Sequence, residues 1–234
     1  MPESFQIAID GPVAVGKSTI ARILAQRLGF LYVDTGAMYR ATGLLALREG
    51  VDVEDGEAVA TLLRTHNITL ATPQGQQNDG RKITVYLDDE DVSWEIRTEK
   101  VSTASSKVSQ HAVVRQQLVP LQQEIASKQN VVMEGRDITF RVLPDAQLKI
   151  FLTASEEKRA GWRHQEVMAR GEDISLEQIK KDLKERDDRD MNRDVDPLHV
   201  TDDAWMFDRS DFTLDEAIDE IETRARKLWH KNET

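Results

Sequence analysis

The chain has 234 residues, with 31 Lys and Arg against 42 Asp and Glu, so its formal net charge is −11. At roughly 100–200 residues per domain, this length indicates one domain or one core that carries a smaller insert. The acidic balance argues against general nucleic-acid binding, and the absence of cysteine excludes disulfides, thiolate catalysis and cysteine-ligated metal sites.

The first part of the chain alternates short apolar strands with amphipathic helices. The predicted elements are a strand over 5–10, a helix over 18–28, a strand over 30–33 and a helix that ends near 50. Gly29 is suited to close the first helix, and Asp34 or Thr35 can cap the second. This order of elements indicates a parallel α/β sheet.

The middle of the chain has a different pattern. Two predicted strands, 67–71 and 82–87, flank a polar run that is typical of a hairpin loop. Strands joined in this way pair antiparallel. We therefore expect 62–93 to be a subdomain inserted into a core formed by 1–61 and 94–234.

The remainder returns to the pattern of the core. The predicted strands are 130–133, 148–152 and 204–207, and the predicted helices begin near 98 and then cover 113–128, 156–170, 175–192 and 214–229. We expect Pro120 to bend its helix. Mixed charges over about 155–195 are typical of a mobile lid, although any exposed pair of helices would show them as well.

Residues 11–18, GPVAVGKS, match the pattern GxxxxGK[ST] between a predicted strand and a predicted helix. The N–H groups of such a loop surround a phosphate, while Lys17 reaches the β and γ oxygens and the Ser18 hydroxyl ligates Mg²⁺. The alternative is a glycine turn that merely precedes a helix. The residues expected to bind a nucleoside triphosphate are Gly11, Pro12, Val13, Ala14, Val15, Gly16, Lys17, Ser18 and Thr19, with Ser18 as the metal ligand.

Two other classes of phosphate-loop protein are disfavoured. A GTPase needs DxxG and NKxD, but no Asp of this chain has Gly three positions later, and Asn-Lys does not occur. A motor ATPase usually has an apolar strand that ends in Asp-Glu, whereas the equivalent strand here ends Met133-Glu134-Gly135-Arg136-Asp137. An arginine is unexpected beside Mg²⁺ but natural beside a second phosphate.

An acidic protein that binds polyanionic nucleotides must concentrate positive groups locally. Five arginines lie at the ends of predicted elements: Arg40, Arg115, Arg136, Arg186 and Arg193. One arc of the helix over 175–192 contains Leu176, Ile179, Leu183, Arg186, Asp190 and Arg193. Inward charges are costly unless they are paired or liganded, so this face predicts a binding surface; the alternative is a surface pair between Arg186 and Asp190. Arg189 lies to one side of the arc and could still reach a phosphate.

These motifs together resemble those of the bacterial cytidylate kinases, in the nucleoside monophosphate kinase group. The matching stretches, in family order, are Ile9–Pro12 with Gly16–Ser18, Val33–Arg40, Glu134–Ile138, Leu143–Ala146 with Lys149–Leu152, and Lys184–Asp190. The resemblance implies an α/β fold, with a parallel five-stranded P-loop kinase sheet flanked by helices, a small antiparallel monophosphate-binding insert and a helical lid. It also implies phosphoryl transfer from ATP to CMP, and to dCMP, with Mg²⁺ as cofactor.

The resemblance further implies roles for individual residues. The implied CMP-binding residues are Thr35, Tyr39, Arg40, Ser106, Arg115, Arg136, Asp137, Arg186, Asp190 and Arg193, and the implied catalytic residues are Lys17, Arg136, Arg189 and Arg193. Asp137 can accept a hydrogen bond from the cytosine amino group, whereas uracil would face it with an acceptor. The alternatives are an ion pair of Asp137 with an arginine and a merely solvated hydroxyl for Ser106.

The chain departs from the family pattern at Thr139-Phe140-Arg141, at the bulky loop interior Val13-Ala14-Val15 and at Thr35, where Ser is common. The competing functions are another small-molecule kinase, for uridylate or dephospho-coenzyme A, and a regulatory module that binds ATP without transferring phosphate. No run of about 18 apolar residues and no signal peptide are seen. We therefore expect a cytoplasmic monomer that binds neither membrane nor nucleic acid.

Overall fold

A computed structural model describes residues 4–232 of the chain. The strands are β1 (Gln6–Asp10), β2 (Leu31–Asp34), β3 (Ile68–Ala71), β4 (Thr84–Leu87), β5 (Glu90–Asp91), β6 (Val131–Glu134), β7 (Leu148–Thr153) and β8 (Trp205–Asp208). The α-helices are α1 (Lys17–Leu28), α2 (Thr35–Arg48), α3 (Gly56–Leu62), α4 (Glu99–Val108), α5 (Ala112–Lys128), α6 (Glu156–Ala169), α7 (Leu176–Asn192) and α8 (Leu214–Asn232).

Five parallel strands form the main sheet in the order β2-β6-β1-β7-β8. The strands β1 and β6 are almost entirely buried, as expected where helices cover both faces of a parallel sheet. The register of the sheet places Asp34 of β2 beside Glu134 of β6, and Asp10 of β1 beside Phe151 of β7. The carboxyl ends of the strands therefore lie along one edge, where open α/β sheets bind their ligands. The expected parallel sheet is confirmed.

A second, antiparallel sheet contains β3, β4 and β5. Ile68 pairs with Leu87, and both are buried together with Val85. The two predicted strands are present, whereas β5, only two residues long, was not predicted. This sheet lies within 62–93, and the division of the chain into a core and an insert at those bounds stays a proposal.

Several local elements differ from the expectations. The helix α3 was not predicted, because its seven residues give no clear apolar periodicity; Asp55 caps it by accepting a hydrogen bond from the Ala58 N–H at 3.0 Å. The helix α5 continues through Pro120. Residues 138–142 form one π-helical turn that was also not predicted. The predicted strand over 130–133 is shifted by one residue, so that Glu134 ends β6.

The apolar core lies between the main sheet and its helices. The central strand β1 contributes Ile7 and Ile9, and α1 contributes Ile20 and Leu24, all fully buried. The helix α1 packs against β6 and α8. This packing fixes the start of α1 directly beyond the end of β1. Within residues 4–232, no helix is both long and apolar enough to cross a membrane.

Candidate functional site

The phosphate loop is the connection between β1 and α1. Gly11 and Gly16 both have positive φ, at 150° and 88°, and Ala14 also has a positive φ of 59°. A Cβ atom at Gly11 would overlap the carbonyl oxygen of Leu152, so the close packing of the loop on β7 requires glycine there. Because α1 starts at Lys17, the loop presents the free N–H groups of a helix N-terminus, which favour an anion.

Lys17 is the buried cation of this loop, with 5% of its surface exposed. Its Nζ donates hydrogen bonds to the carbonyl oxygens of Gly11 and Pro12, both at 2.7 Å. Burial, and next the charge of Arg136, lower the pKa of Lys17 to about 7. An anionic ligand would counter both effects.

Arginines from several elements converge beside the loop. Arg40 on α2 pairs with Asp34 at 2.8 Å, and Arg136 after β6 pairs with Asp190 on α7 at 2.6 Å. Partial removal from water, and next the charge of Arg136, lower the pKa of Arg186 to about 10, although the residue keeps contact with solvent. Positive charges that crowd one another in this way create a site for a polyanion.

A second group of charges lies around Asp137. Arg115, with 2% of its side chain exposed, is ion-paired with Asp137, while Arg193 Nη2 lies 3.4 Å from Asp137 Oδ1. The guanidinium of Arg115 also lies over the Tyr39 ring, 5.6 Å from its centroid. Burial raises the pKa of Asp137, and Arg115 and Arg193 oppose that rise. The ion-pair alternative for Asp137 is thus present, and it leaves the carboxylate free to accept further hydrogen bonds.

The remaining candidate residues border these two groups. Arg189 Nη1 and the Ser106 hydroxyl lie 3.5 Å apart, which joins α7 to α4. The Thr35 hydroxyl donates to the carbonyl oxygen of Glu134 at 2.9 Å. The Tyr39 hydroxyl is buried and has no hydrogen-bond partner within the part of the chain that the structure describes. An unpaired buried hydroxyl is costly, so this atom is available to a ligand.

The charged face of α7 differs from the predicted arc. Burial follows Ile179, Leu183 and Asp187, whereas Arg186 stays exposed beside this stripe. Arg186 and Asp190 do not form the surface pair considered above; the carboxylate of Asp190 pairs with Arg136. The apolar stripe at a spacing of four residues could have identified Asp187, because the next position in the series is 187.

Asp187 connects α7 to the phosphate loop. Its Oδ1 accepts from the Val13 N–H at 2.9 Å, and its Oδ2 pairs with Arg159 on α6 at 2.6 Å. Arg159 Nη1 also donates to the Val13 carbonyl oxygen at 2.9 Å. One buried ion pair therefore holds both polar groups of a loop residue, and no sequence motif had indicated it.

Arg209, directly after β8, supports the same loop from another side. Its Nη1 donates to the Val15 carbonyl oxygen at 3.1 Å, and a Cβ at Gly16 would overlap that nitrogen. The guanidinium stacks on Trp162 of α6, 4.0 Å from the ring centroid. Asp10 is a third residue that the sequence did not single out: it accepts from the N–H groups of residues 138 and 139 at 2.9 and 2.8 Å, and burial raises its pKa to about 6.

The surroundings of Ser18 are compatible with Mg²⁺. Glu134, whose pKa is raised by burial and next by the charge of Asp34, lies close to Ser18 and Lys17. Mg²⁺ binds to hard oxygen ligands and usually keeps several waters, taking one or two carboxylates together with substrate phosphates. Among residues 4–232, no group of three or more carboxylate or imidazole side chains forms a closed metal site. A hydroxyl beside one or two carboxylates fits an ion that arrives with a nucleotide.

Comparisons with known proteins agree on one family. The model of the family described as cytidylate kinase matches residues 7–227. A protein of Bacillus pumilus named cytidylate kinase is 45% identical over 229 residues, which are 97% of this chain and 99% of that protein. Proteins of the same name from Oceanobacillus iheyensis and Shouchella clausii are each 43% identical over 221 residues, which are 94% of this chain and 94% and 96% of theirs.

Proposed function

The chain belongs to the cytidylate kinase family, and from this premise we propose that it transfers the γ-phosphoryl group of ATP to CMP, and also to dCMP, to give ADP and CDP or dCDP. The observation that carries the proposal is the pairing of a phosphate loop with a separate group of arginines at the same edge of the sheet, of which Arg115 is buried and Arg136 half-buried. Two anionic substrates can bind side by side there. Alignment and charge neutralisation are what phosphoryl transfer requires.

In the reaction, an oxygen of the CMP phosphate attacks the γ-phosphorus, and the bond from that phosphorus to the β–γ bridging oxygen breaks, so that ADP leaves. We assign Gly11–Thr19 to the ATP phosphates and Lys17 to the β and γ oxygens. Arg136, Arg189 and Arg193 stabilise the charge of the moving group. The acceptor is already an anion, so the reaction needs no strong general base.

Mg²⁺ is the metal that we propose for this site, with Ser18 as its ligand and Glu134 beside it. When bound, it neutralises phosphate charge and orients the β and γ oxygens. The described residues supply the oxygen donors that this ion prefers. The chain's own contribution is to fix Ser18 at the start of α1, next to the end of β6.

The acceptor base is proposed to bind at Asp137. The carboxylate accepts from the cytosine amino group, while Arg115 and the Ser106 hydroxyl serve the ring acceptors. Arg40, Arg136 and Arg193 hold the phosphate, Arg186 and Asp190 hold the ribose, and Thr35 and Tyr39 line the pocket. Uracil would face the Asp137 carboxylate with a carbonyl oxygen, and an unmatched buried group costs about 1–3 kcal/mol.

The test is ADP production from ATP with Mg²⁺ and each of CMP, dCMP, UMP, AMP, GMP and dephospho-coenzyme A in separate reactions. We expect CMP and dCMP to be used well ahead of UMP, and Lys17→Ala to abolish turnover. Preference for another acceptor would overturn the cytosine site and keep the kinase reaction. ATP binding without use of any acceptor would favour a regulatory module. The monomeric state and the cytoplasmic location stay predictions from the sequence.

A further inference from the structure

Asp196, in the segment between α7 and β8, is joined to the base site although no motif of the sequence includes it. Its Oδ2 accepts from Arg115 Nε at 2.8 Å, and its backbone carbonyl oxygen accepts from Arg193 Nε at 2.8 Å. Arg141, on the π-helical turn, lies 3.7 Å from the same carboxylate oxygen. One residue therefore contacts both arginines that pair with Asp137.

The contacts of Arg115 show what Asp196 does. Its Nη2 donates to Asp137, its Nη1 donates to the carbonyl oxygen of Ser109 at 3.3 Å, and its Nε donates to Asp196. Burial acts to lower the pKa of Arg115. Asp137, and after it Tyr39 and Asp196, act to raise that pKa and have the larger effect, so that it is raised. A permanently charged, planar guanidinium is thus held by three elements in one orientation.

That orientation matters because of the oxygen atoms of Asp137. Arg115 takes only Oδ2, and the Arg193 contact to Oδ1 is long, at 3.4 Å. Oδ1 is consequently able to accept a strong hydrogen bond from a ligand. Without an acceptor at Nε, the guanidinium of Arg115 is free to turn and to bind both oxygens of Asp137 in the bidentate geometry that arginine and carboxylate favour.

We propose that Asp196 is a positioning residue for base selection: by occupying Arg115 Nε, it keeps one oxygen of Asp137 free for the amino group of the acceptor base. The inference rests on the proposed function. It predicts an effect on the preference for a base with an exocyclic amino group over one with a carbonyl oxygen, because only the first uses the free oxygen. The proposed role of Asp196 in base selection does not involve Lys17 or the phosphate loop.

The backbone at Asp196 restricts the useful variants. Its φ of 47° lies in the left-handed region, which Gly and Asn tolerate best. Asp196→Gly therefore removes the acceptor for Arg115 Nε without new backbone strain, and Asp196→Ala removes it with the small strain that a Cβ brings in this region. Asn is unsuitable because its amide oxygen would still accept from Nε. Asp194 lies in the same segment and is exposed, so Asp194→Asn makes the same change of net charge away from the site.

The experiment measures kcat and KM for CMP and for UMP, and KM for ATP, in the wild type and the three variants. In Asp196→Gly and Asp196→Ala we expect kcat/KM for CMP to fall about tenfold, mainly through KM, as for the loss of one charged hydrogen bond. In these variants the kcat and KM for UMP and the KM for ATP should change by less than about twofold. Every constant of Asp194→Asn should likewise change by less than about twofold. A structural defect alone would lower CMP and UMP use together and would contradict the proposal.

The outcomes separate this inference from the proposed function. A wild-type enzyme that does not prefer CMP overturns the proposed function. A wild-type enzyme that prefers CMP, with an unchanged CMP to UMP ratio in both Asp196 variants, overturns only the role of Asp196. If one variant does not fold, as judged by thermal unfolding, the other decides the question.

Discussion

Lys17 provides the most direct test of electrostatics in the phosphate loop. Burial and Arg136 lower its pKa to about 7 in the ligand-free protein, and bound polyphosphate must raise that pKa. A group whose pKa rises on binding takes up a proton. The contribution of charged Lys17 to the affinity for ATP is therefore fully present below pH 7, and it is lost progressively as the pH rises above 7. At pH 8, where ATP is itself deprotonated, we expect uptake of about one proton per ATP bound.

This uptake is measured by titration calorimetry in two buffers that differ in ionisation enthalpy. Lys17→Arg is the matched control, because its guanidinium stays charged throughout and should abolish the uptake. Equal binding heats for the wild type in both buffers would show that Lys17 does not change protonation. The same uptake in Lys17→Arg would assign the proton to another group.

Arg186 tests the arginines on the acceptor side. Partial removal from water, and next the charge of Arg136, lower its pKa to about 10, so it stays charged at neutral pH. Arg186→Ala should raise the KM for CMP about tenfold, as for loss of a charged hydrogen bond, with little effect on the KM for ATP. Steady-state kinetics check this. Lys184→Ala, an exposed cation of the same helix, should leave both constants unchanged, and an unaltered acceptor KM and kcat in Arg186→Ala would refute the assignment.

At the scale of elements, the connection of α6 and α7 to the phosphate loop departs from the idea of a freely mobile lid. Arg159 on α6 and Asp187 on α7 form a buried pair that holds the Val13 N–H and carbonyl groups. The helix that carries Arg186 and Asp190, and that ends just before Arg193, is thus tied to the loop assigned to ATP. Any movement of α7 away from the loop must break the hydrogen bond from the Val13 N–H to Asp187.

Asp187→Asn keeps an oxygen for the Val13 N–H but removes the charge opposite Arg159. We expect the free energy of unfolding to fall by about 1–3 kcal/mol, as for a buried polar group with a weakened partner. The KM for ATP should rise more than the KM for CMP, since the loop loses its support. Urea unfolding and steady-state kinetics measure the two effects. Asp188→Asn, exposed on the same helix, should change neither, and an intact KM for ATP in Asp187→Asn would argue against the coupling.

Element patterns explain which parts of the fold the sequence could predict. The strands of the main sheet are short apolar runs, and the helices α1, α7 and α8 carry apolar residues at helical spacing, so they were predicted to within a few residues. The short β5 and α3 and the π-helical turn at 138–142 have no such pattern. That turn depends on Asp10, which is 128 residues distant along the chain from its first partner Ile138. A sequence pattern within a short window cannot indicate a contact between residues so far apart along the chain.

The candidate site, like the fold, was predictable from the sequence only where a local pattern indicated it. A motif indicated the loop and Lys17, and the positions of the arginines together with the family resemblance indicated an acceptor site, whose residue roles stay proposals. Asp187, Asp196 and Arg209 act through contacts with residues far away in sequence. Asp187 alone had a local signal, the spacing of four residues from Ile179 and Leu183.

For the whole molecule, the net charge of −11 and the group of site arginines have opposite consequences for an anionic substrate. The net negative charge repels CMP at long range, whereas Arg40, Arg136 and Arg193, which we assign to its phosphate, attract it at short range. Salt shortens the Debye length from about 8 Å at 0.15 M to about 3 Å at 1 M, so it weakens both. We expect the contact attraction to dominate once the ligand is bound, because the Coulomb energy of two charges grows as the distance between them shrinks.

We therefore expect the equilibrium affinity for CMP to fall about threefold or more when KCl is raised from about 0.05 to 0.5 M, as for partly exposed charge pairs. Cytidine has the same base and sugar without the phosphate, so its affinity should change by less than about twofold over this range. Calorimetric titration of both ligands provides the comparison within one protein. An equal loss for CMP and cytidine would place the salt effect on the protein as a whole. An affinity for CMP that rises with salt would mean that repulsion from the acidic surface exceeds the attraction of the site arginines, and it would contradict their assignment to the acceptor phosphate.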